Sequence, residues 1–242
     1  FDDFRYIENI YAAYSTVGMK HGGFSWQAGL RAEYSDISTE SEVGDDIDRN
    51  YLDWFPTAHL SYQISKVHTV QLSYSRRISR PRFRELLPFS GFSDARNVYG
   101  GNPRLNPEYT NSIEVGYLAD WEGGSVLTSV YYRYRTGVVE RVNVLQPTGI
   151  TLRIPVNIST ENAVGLEVTV QQDLFKWWSL NGGINVFYAK SVGSFEGLDL
   201  GAEALGANLR VNNIWKLPYD IDIQASVNYR APRNRPQGRQ YH

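Results

Sequence analysis

The most localised charge feature of the 242-residue chain is a run of five arginines between residues 76 and 84. Its members are Arg76, Arg77, Arg80, Arg82 and Arg84. Because the forked donors of a guanidinium group match the oxygens of carboxylates and phosphates, the cluster could bind an anionic group. The alternative is a solvated rim, in which Glu85, Asp94 and Glu108 balance the arginines.

The other side chains that could carry out chemistry predict neither an active site nor a metal site. The four histidines are His21, His59, His68 and His242. No two of them have the spacing that places a pair of metal ligands on one face of an element. The chain has no cysteine, and no serine in a G-x-S-x-G context. We expect no enzyme and no cofactor, although a Ser, a His and an acid that converge only in space would still be compatible with a hydrolase.

The charge balance and the hydropathy of the chain exclude two broad classes of protein. Lys and Arg total 24 while Asp and Glu total 26, so the formal charge is -2 and nothing marks a nucleic-acid binder. No stretch reaches the roughly 18 to 20 consecutive apolar residues of a membrane-spanning helix. The mean hydropathy of -0.40 remains compatible with membrane strands, because these alternate apolar and polar residues.

The segment from Phe24 to Ser35 alternates apolar and polar side chains with a period of two. Such alternation predicts a β-strand with one apolar and one polar face. The pattern returns often enough to predict about ten strands, several of about 10 residues or more, where strands of ordinary globular proteins average about five or six. We therefore expect an all-β fold, an antiparallel up-and-down transmembrane β-barrel, with its apolar faces toward lipid.

The polar faces of these strands are expected to line the lumen. They carry Arg31, Glu33, Glu114, Glu167, Asn185, Asn208, Arg210 and Asn228. Short turns are predicted at 19–23, 66–67, 123–124, 175–176 and 218–219. Longer polar connections are predicted at 38–50, 81–107, 146–159 and 193–205. A barrel with periplasmic turns at one rim and extracellular loops at the other has this rhythm, whereas a soluble sandwich with Greek-key crossings does not keep it.

Aromatic residues collect at the two ends of the predicted strands. Five tryptophans lie within a few residues of a short turn: Trp26, Trp121, Trp177, Trp178 and Trp215. Toward the opposite ends, on the apolar faces, lie Tyr34, Tyr188 and Tyr229. From Trp178 to Tyr188, a rise of ~3.3 Å per residue at a tilt of ~40° spans roughly 25 Å, about the height of an outer-membrane apolar band. The pattern predicts two membrane girdles; the alternative is core aromatics of a soluble β-protein.

A short motif links this pattern to a known family. It comprises Gly101, Asn102, Pro103, Leu105, Pro107 and Glu108. Followed by Asn111, Glu114 and Gly116, it resembles the G-N-P-x-L-x-P-E…N-x-x-E-x-G segment of TonB-dependent receptor barrels. The flanking segments QLSYSRRISRP (71–81) and WWSLNG (177–182) are also similar to that family, so the resemblance covers nearly the whole chain.

This resemblance implies a barrel of about 22 strands around an N-terminal plug, which admits scarce ligands when TonB acts on it. We expect residues 1–242 to be one partial outer-membrane β-barrel domain from the C-terminal portion, with the plug and the last strands outside the chain. The implied partners are outer-membrane lipid, lipopolysaccharide, the plug and, through the plug, TonB. The arginine cluster would then contact plug carboxylates, a lipopolysaccharide phosphate, an anionic ligand or water.

The leading functional hypothesis is a segment of a bacterial outer-membrane receptor for TonB-energised uptake of a siderophore, vitamin, glycan or peptide. Two other classes remain open from the sequence. One is a passive porin or structural barrel, which would lack a plug. The other is a soluble β-sandwich binding module, which would not need detergent because it would expose no continuous apolar band.

Overall fold

The computed structural model describes residues 3–41, 46–88, 90–94, 96–235 and 238–240. Its strands in chain order are β1 (Phe4–His21), β2 (Phe24–Ser41), β3 (Ile47–Gln63), β4 (His68–Ser79), β5 (Ser90–Asp94), β6 (Asn97–Gly100), β7 (Glu108–Trp121), β8 (Gly124–Thr136), β9 (Val139–Leu145), β10 (Thr151–Asn157), β11 (Ser159–Phe175), β12 (Trp178–Phe195), β13 (Leu198–Asp199), β14 (Ala202–Leu217), β15 (Ile221–Arg230), β16 (Arg233–Arg235) and β17 (Gly238–Gln240). One short helix, α1 (Phe83–Leu86), precedes β5. Within the described ranges, no helix is long and apolar enough to cross a membrane.

Ten long strands form one antiparallel sheet, which we call the wall. Their order is β1-β2-β3-β4-β7-β8-β11-β12-β14-β15, and β13 pairs with β12 beside this path. Each wall strand therefore pairs with the wall strands before and after it in the chain. The prediction of about ten strands in an antiparallel up-and-down arrangement is confirmed.

Short turns join the wall strands at one edge, and longer connections join them at the other. Gly22 and Gly123, with φ of 58° and 83°, sit in the β1–β2 and β7–β8 turns. This left-handed backbone suits a two-residue hairpin and costs glycine little. The short turns lie within about two residues of their predicted places, so the wall has a turn edge and a loop edge.

The predicted bounds of the longer connections were wrong, because the strands continue into them. β2 runs to Ser41 and β3 begins at Ile47, inside the segment predicted as a loop; residues 42–45 of that segment lie outside the described residues. Similarly, β12 reaches Phe195 and β14 begins at Ala202. Both faces of a strand that extends beyond an apolar layer are in water, so the strand persists there without alternation of side-chain type.

The wall exposes its apolar faces, as the alternation predicts. Leu30 is 45% exposed, Val115 is 50% exposed and Val227 is 61% exposed. On the opposite face Glu33 and Ser35 are buried, at 6% and 0%. This is the reverse of the burial pattern of a soluble protein, in which apolar side chains fill the core and charged ones lie mostly at the surface.

The connections β4–β7 and β8–β11 fold together into a second, four-stranded sheet of order β5-β6-β10-β9. Its β10 and β6 strands are parallel, with Thr151 opposite Asn97. A small apolar core of Val142, Val156 and Leu200 joins this sheet to the β12–β14 connection. We call β5, β6, β9, β10 and the residues that connect them to the wall the loop assembly.

Candidate functional site at the loop edge

The loop assembly leaves the wall where the ladder between β3 and β4 ends. The last pair of that ladder is Thr57 with Ser75, although β3 extends ten residues further toward its start at Ile47. That upper part of β3 pairs only with β2. The chain after Ser79 then crosses the polar face of β2 and β1, as the contacts of Arg80 with these two strands show.

Arg80 is the arginine that holds this crossing in place. Its Nη2 donates to Glu33 Oε2 at 2.8 Å and to Ser35 Oγ at 2.9 Å. Its Nε lies 3.3 Å from Glu8 Oε1. Burial opposes the charge of Arg80, but the hydrogen bond to Glu33 raises the pKa of the guanidinium above its ordinary value. One side chain thus connects the end of β4 to both β1 and β2.

The other four arginines of the predicted cluster do not gather around Arg80. Arg76 lies over the ring of Tyr109, 5.1 Å from its centroid. Arg77 is exposed on β4, and both Arg82 and Arg84 are exposed at the start of α1. The structure therefore separates the cluster into two anchored side chains and three solvent-facing ones.

Arg84 instead shares an open groove with two arginines from the other half of the loop assembly. These are Arg141 of β9 and Arg153 of β10. Arg141 forms an ion pair with Glu85 at 2.9 Å, and all three arginines are exposed. The groove is a basic surface that the sequence order conceals, because its arginines are far apart in the chain.

The Gly-Asn-Pro motif ties α1 and the loop assembly together. Gly101 N donates to Leu87 O, and a Cβ at Gly101 would come within 2.5 Å of that carbonyl oxygen. Only glycine fits so close an approach without movement of the backbone. Asn102 N donates to Glu85 O at 2.6 Å, and Asn102 Nδ2 donates to Pro155 O at 3.1 Å. The motif thus joins the β4–β7 connection to β10.

Arg49 of β3 binds the middle of the motif from the wall side. Its Nη1 donates to Leu105 O at 2.7 Å and to Asn106 Oδ1 at 3.3 Å, and its Nη2 donates to Pro103 O at 3.0 Å. Leu105 is only 2% exposed, so the motif packs its one large apolar side chain against the protein. These bonds dock the motif on the upper part of β3, beyond the end of its ladder with β4.

Glu108, the last motif residue, binds the other half of the loop assembly. Its Oε1 accepts from Val139 N at 2.6 Å, and its Oε2 accepts from Arg135 Nη2 at 2.8 Å. Arg135 also donates to Glu161 Oε1 at 2.8 Å. Since charged hydrogen bonds are the stronger kind, this four-residue network is a firm junction between β7, β8, β9 and β11.

The aromatic residues predicted as girdles lie at the two edges of the wall. At the turn edge, Trp178 stacks with Trp177 and Trp215 at centroid distances of 6.1 and 6.4 Å. Trp121 and Trp26 lie at the same edge, where Trp121 Nε1 donates to Gln172 Oε1. Nearer the loop edge, Tyr34, Tyr188 and Tyr229 are 43%, 40% and 55% exposed on the apolar face. Their exposure fits contact with a surrounding medium.

Two aromatic rings on the polar face of the wall are buried under arginine side chains. Phe55 and Tyr131 point to this face and are each 2% exposed, because Arg31 and Arg133 lie over their rings. On the apolar face, His68 Nδ1 lies 2.8 Å from the hydroxyl of Tyr117. Within the described ranges, no group of three or more His, Cys, Asp or Glu side chains could hold a metal ion. His242 lies outside the described residues.

Sequence reasoning did not single out Arg49, Arg135 or Asn157, although all three organise the loop edge. Asn157 Nδ2 donates to Asn106 O at 2.9 Å, and Asn157 Oδ1 accepts from Asn106 N at 2.8 Å. The partners lie 51 residues apart, and Arg49 lies 56 residues from Leu105. Neither alternation nor a motif marks such residues, so no local signal could have found them.

A protein-family model described as the outer membrane protein beta-barrel family matches residues 1–242. The iron-regulated outer membrane virulence protein of Vibrio cholerae serotype O1 is 26% identical over 208 residues. That alignment covers 80% of this chain and 31% of the relative.

Solved structures share the fold at lower identity. The match to the copper transporter OprC has a TM-score of 0.60 at 11% identity, and it covers 93% of this chain and 39% of the OprC chain. The match to the Serratia marcescens hemophore receptor HasR has a TM-score of 0.60 at 14% identity, and it covers 93% of this chain and 51% of the HasR chain. The match to the siderophore receptor PirA of Pseudomonas aeruginosa has a TM-score of 0.52 at 12% identity, and it covers 92% of this chain and 53% of the PirA chain.

This chain spans about a third to a half of the length of these proteins. The resemblance to receptor barrels that the motif suggested is confirmed at the level of family and fold. With a family match over its whole length, the chain belongs to the outer membrane protein beta-barrel family and is part of a barrel of the bacterial outer membrane.

Proposed function

We propose that the parent protein is an energy-coupled importer of the outer membrane, and that this chain supplies ten of its wall strands and several ligand-facing loops. The observation that carries the proposal is the loop assembly, which folds onto the polar face of the wall through Arg80 and Arg49. Loops held in this way narrow the lumen near the loop edge. An importer needs such a narrowed, shaped entrance, whereas a passive pore needs an open one.

The polar face further supports an internal partner. Glu114 and Glu167 point to this face, and neither forms an ion pair with another residue in the described part of the chain. Asn185 and Asn208 lie opposite each other in the next ladder. Carboxylates and amides at the inner surface would bind water or a plug domain inside the parent barrel. We propose the plug and, through it, TonB as partners of the whole protein.

For the ligand we propose a scarce metal-bearing compound. The named relatives are an iron-regulated protein, a copper transporter, a siderophore receptor and a hemophore receptor. Their names refer to regulation by iron, to copper, to a siderophore and to a hemophore, so a metal or a metal carrier is the common theme. The basic groove of Arg84, Arg141 and Arg153 suits a chelate with net negative charge, because guanidinium groups pair with anionic oxygens.

The test is transport by the full-length protein in cells with and without a functional TonB. Radioactive iron would be supplied as ferric citrate, as haem, or as a complex with the siderophore purified from a culture of the source organism. Radioactive copper would be supplied separately. Saturable uptake that needs TonB is expected for one of these probes. Uptake that rises linearly with concentration and ignores the loss of TonB would instead identify a passive pore.

We propose that the apolar face of the wall contacts outer-membrane lipid. Its exposed residues lie between Trp121, Trp178 and Trp215 at the turn edge and the tyrosines nearer the loop edge. Trp and Tyr prefer such boundaries, since their rings are apolar and their N–H or O–H groups are polar. Mass spectrometry of the purified parent protein in native-like discs would detect bound lipid and lipopolysaccharide.

A further inference from the structure

A cavity of about 300 Å³ lies between the polar face of the wall and the segment that follows β4. Its lining includes both wall and loop residues. Six of them carry the argument: Tyr6, Ile37, Arg49, Tyr51, Leu86 and Leu105. The cavity differs from the basic groove of the loop assembly, with which it shares none of these residues.

Arg49 brings to this cavity a positive charge that no carboxylate balances. A guanidinium group has five N–H donors, and three of those on Arg49 are bonded to neutral oxygens of the motif. Two donors are therefore left for another partner. Among the described residues Arg49 has no ion pair, and a half-buried cation without an anion is unfavourable.

The neighbouring charges do not remove this excess. Arg80 contacts Glu8 and Glu33, and Arg31 lies 3.2 Å from the same Glu33 carboxylate. Two arginines and two glutamates thus compensate one another beside the cavity. Arg49 remains the unmatched charge at its rim, so a ligand there would need to be an anion.

Tyr51, which lies beside Arg80, adds a second polar group whose hydrogen-bonding capacity is not fully used. Its hydroxyl oxygen is buried and has no hydrogen-bond partner of good geometry in the described part of the chain. A buried hydroxyl without a partner costs free energy, and an acceptor bound in the cavity would recover it. Arg49 and Tyr51 lie two residues apart on β3 and project to the same face, so they can bind the two oxygens of one carboxylate.

Apolar side chains and prolines make up much of the remaining lining, which also includes Thr39, Arg80, Asn106 and Tyr109. Leu86 and Leu105 are 5% and 2% exposed, and Ile37 and Tyr6 complete the surface around them. Ligand pockets begin at about 300 Å³, so the cavity has room for a single ring with one substituent. Largely apolar walls with a few convergent polar groups are typical of such pockets.

We propose that this cavity binds a small aromatic carboxylate, with its carboxylate on Arg49 and Tyr51 and its ring against Ile37, Leu86 and Leu105. The proposal does not depend on transport, because the binding itself can be measured in the purified parent protein.

The test is calorimetric titration of the full-length protein in detergent with benzoate, and with benzamide as the uncharged equivalent. Benzoate should bind at least about tenfold more tightly, since bonds to charged groups are the stronger ones. Tyr51→Phe should weaken benzoate binding by about tenfold, because it removes the hydroxyl that would donate to the carboxylate and leaves the rest of the ring in place. Tyr131→Phe is the matched control, since its hydroxyl bonds to Asn185 outside the cavity.

Ile37→Trp is a second variant, which should fill the cavity and abolish benzoate binding in a correctly assembled barrel. Assembly would be checked by heat-modifiable migration on gels. The proposal is overturned if the wild type does not bind benzoate at millimolar concentration, or binds benzamide equally well. It is also overturned if Tyr131→Phe loses as much affinity as Tyr51→Phe, or if assembled Ile37→Trp still binds benzoate.

Discussion

The wall and the loop assembly bury opposite kinds of side chain within one chain. In the wall, Val115 is 50% exposed while Ser35 is fully buried. In the loop assembly, Val142 is 2% exposed and Leu200, which packs against it, is 1% exposed. The same residue type, valine, is therefore outside in one region and inside in the other.

This difference shows that the surrounding medium sets the direction of burial. Apolar side chains avoid water in both regions, but in the wall they turn outward, where, under the proposed lipid contact, a bilayer would take the place of a protein core. In the loop assembly water lies on both sides, so valines must pack against each other. The wall needs no packed core of its own, because ladder hydrogen bonds satisfy its backbone.

The comparison predicts that the two edges face different compartments. A cysteine at Thr148, an exposed loop position, should react on intact cells with a maleimide that cannot cross the membrane. A cysteine at Glu122, an exposed turn position, should react only after the cells are opened. The contrast should be close to all-or-none, and labelling of Glu122→Cys alone on intact cells would invert the topology.

An arginine on the apolar face should show how much the wall depends on lipid. Val115→Arg is expected to destabilise the assembled barrel by roughly 2 to 4 kcal/mol if the site is near the midplane, because the charge would enter hydrocarbon. Gln27→Arg, on the polar face, is the control and should cost much less. Urea unfolding of the full-length protein in lipid vesicles measures both, and equal costs would argue against a lipid-facing wall.

Breaking the junction between the wall and the loop assembly should cost less stability than a charge on the apolar face of the wall, and it should loosen only the loop assembly. Glu108→Ala removes the acceptor of Arg135 and of Val139 N, with an expected cost of about 1 to 3 kcal/mol. Protease susceptibility of the loop assembly should rise while the wall stays folded. Glu122→Ala is the control, and a similar change in both variants would show that Glu108 is not a junction.

The smallest expected effects separate the arginines of the predicted cluster. Arg80→Gln should loosen the crossing over β1 and β2 by about 1 kcal/mol, since it breaks bonds to Glu33 and Ser35. Arg84→Gln should change stability by less than about 0.5 kcal/mol, because Arg84 is exposed. If Arg84→Gln lowers uptake without loss of stability, the groove is a ligand surface; equal stability losses would contradict the division of the cluster.

Much of the fold could be predicted because its signal is local. Alternation over a dozen residues, as from Phe24 to Ser35, identifies a strand and its two faces without any knowledge of distant contacts. The motif at 101–108 likewise indicated the family. The ends of β2, β3, β12 and β14 were misplaced, since the alternation stops while the ladder hydrogen bonds continue.

The candidate site could be predicted only in part, because its geometry depends on contacts between distant residues. Sequence proximity suggested one cluster from Arg76 to Arg84, but a strand end and a helix direct these side chains to separate places. The residues that hold the loop edge, Arg49 and Arg135, gave no sign in the sequence. Their partners are backbone carbonyls and carboxylates of other elements.

The sequence by itself therefore determined the strand order, the facing of each strand and the alternation of turns with loops, all of which follow from periods of two and from turn residues. Only the tertiary structure decided where the β3–β4 ladder ends, how two distant connections form one sheet, and that Arg49 and Tyr51 meet at a cavity. Those outcomes depend on contacts between residues tens of positions apart, whose free energies are decided by the whole packed arrangement and by no local pattern.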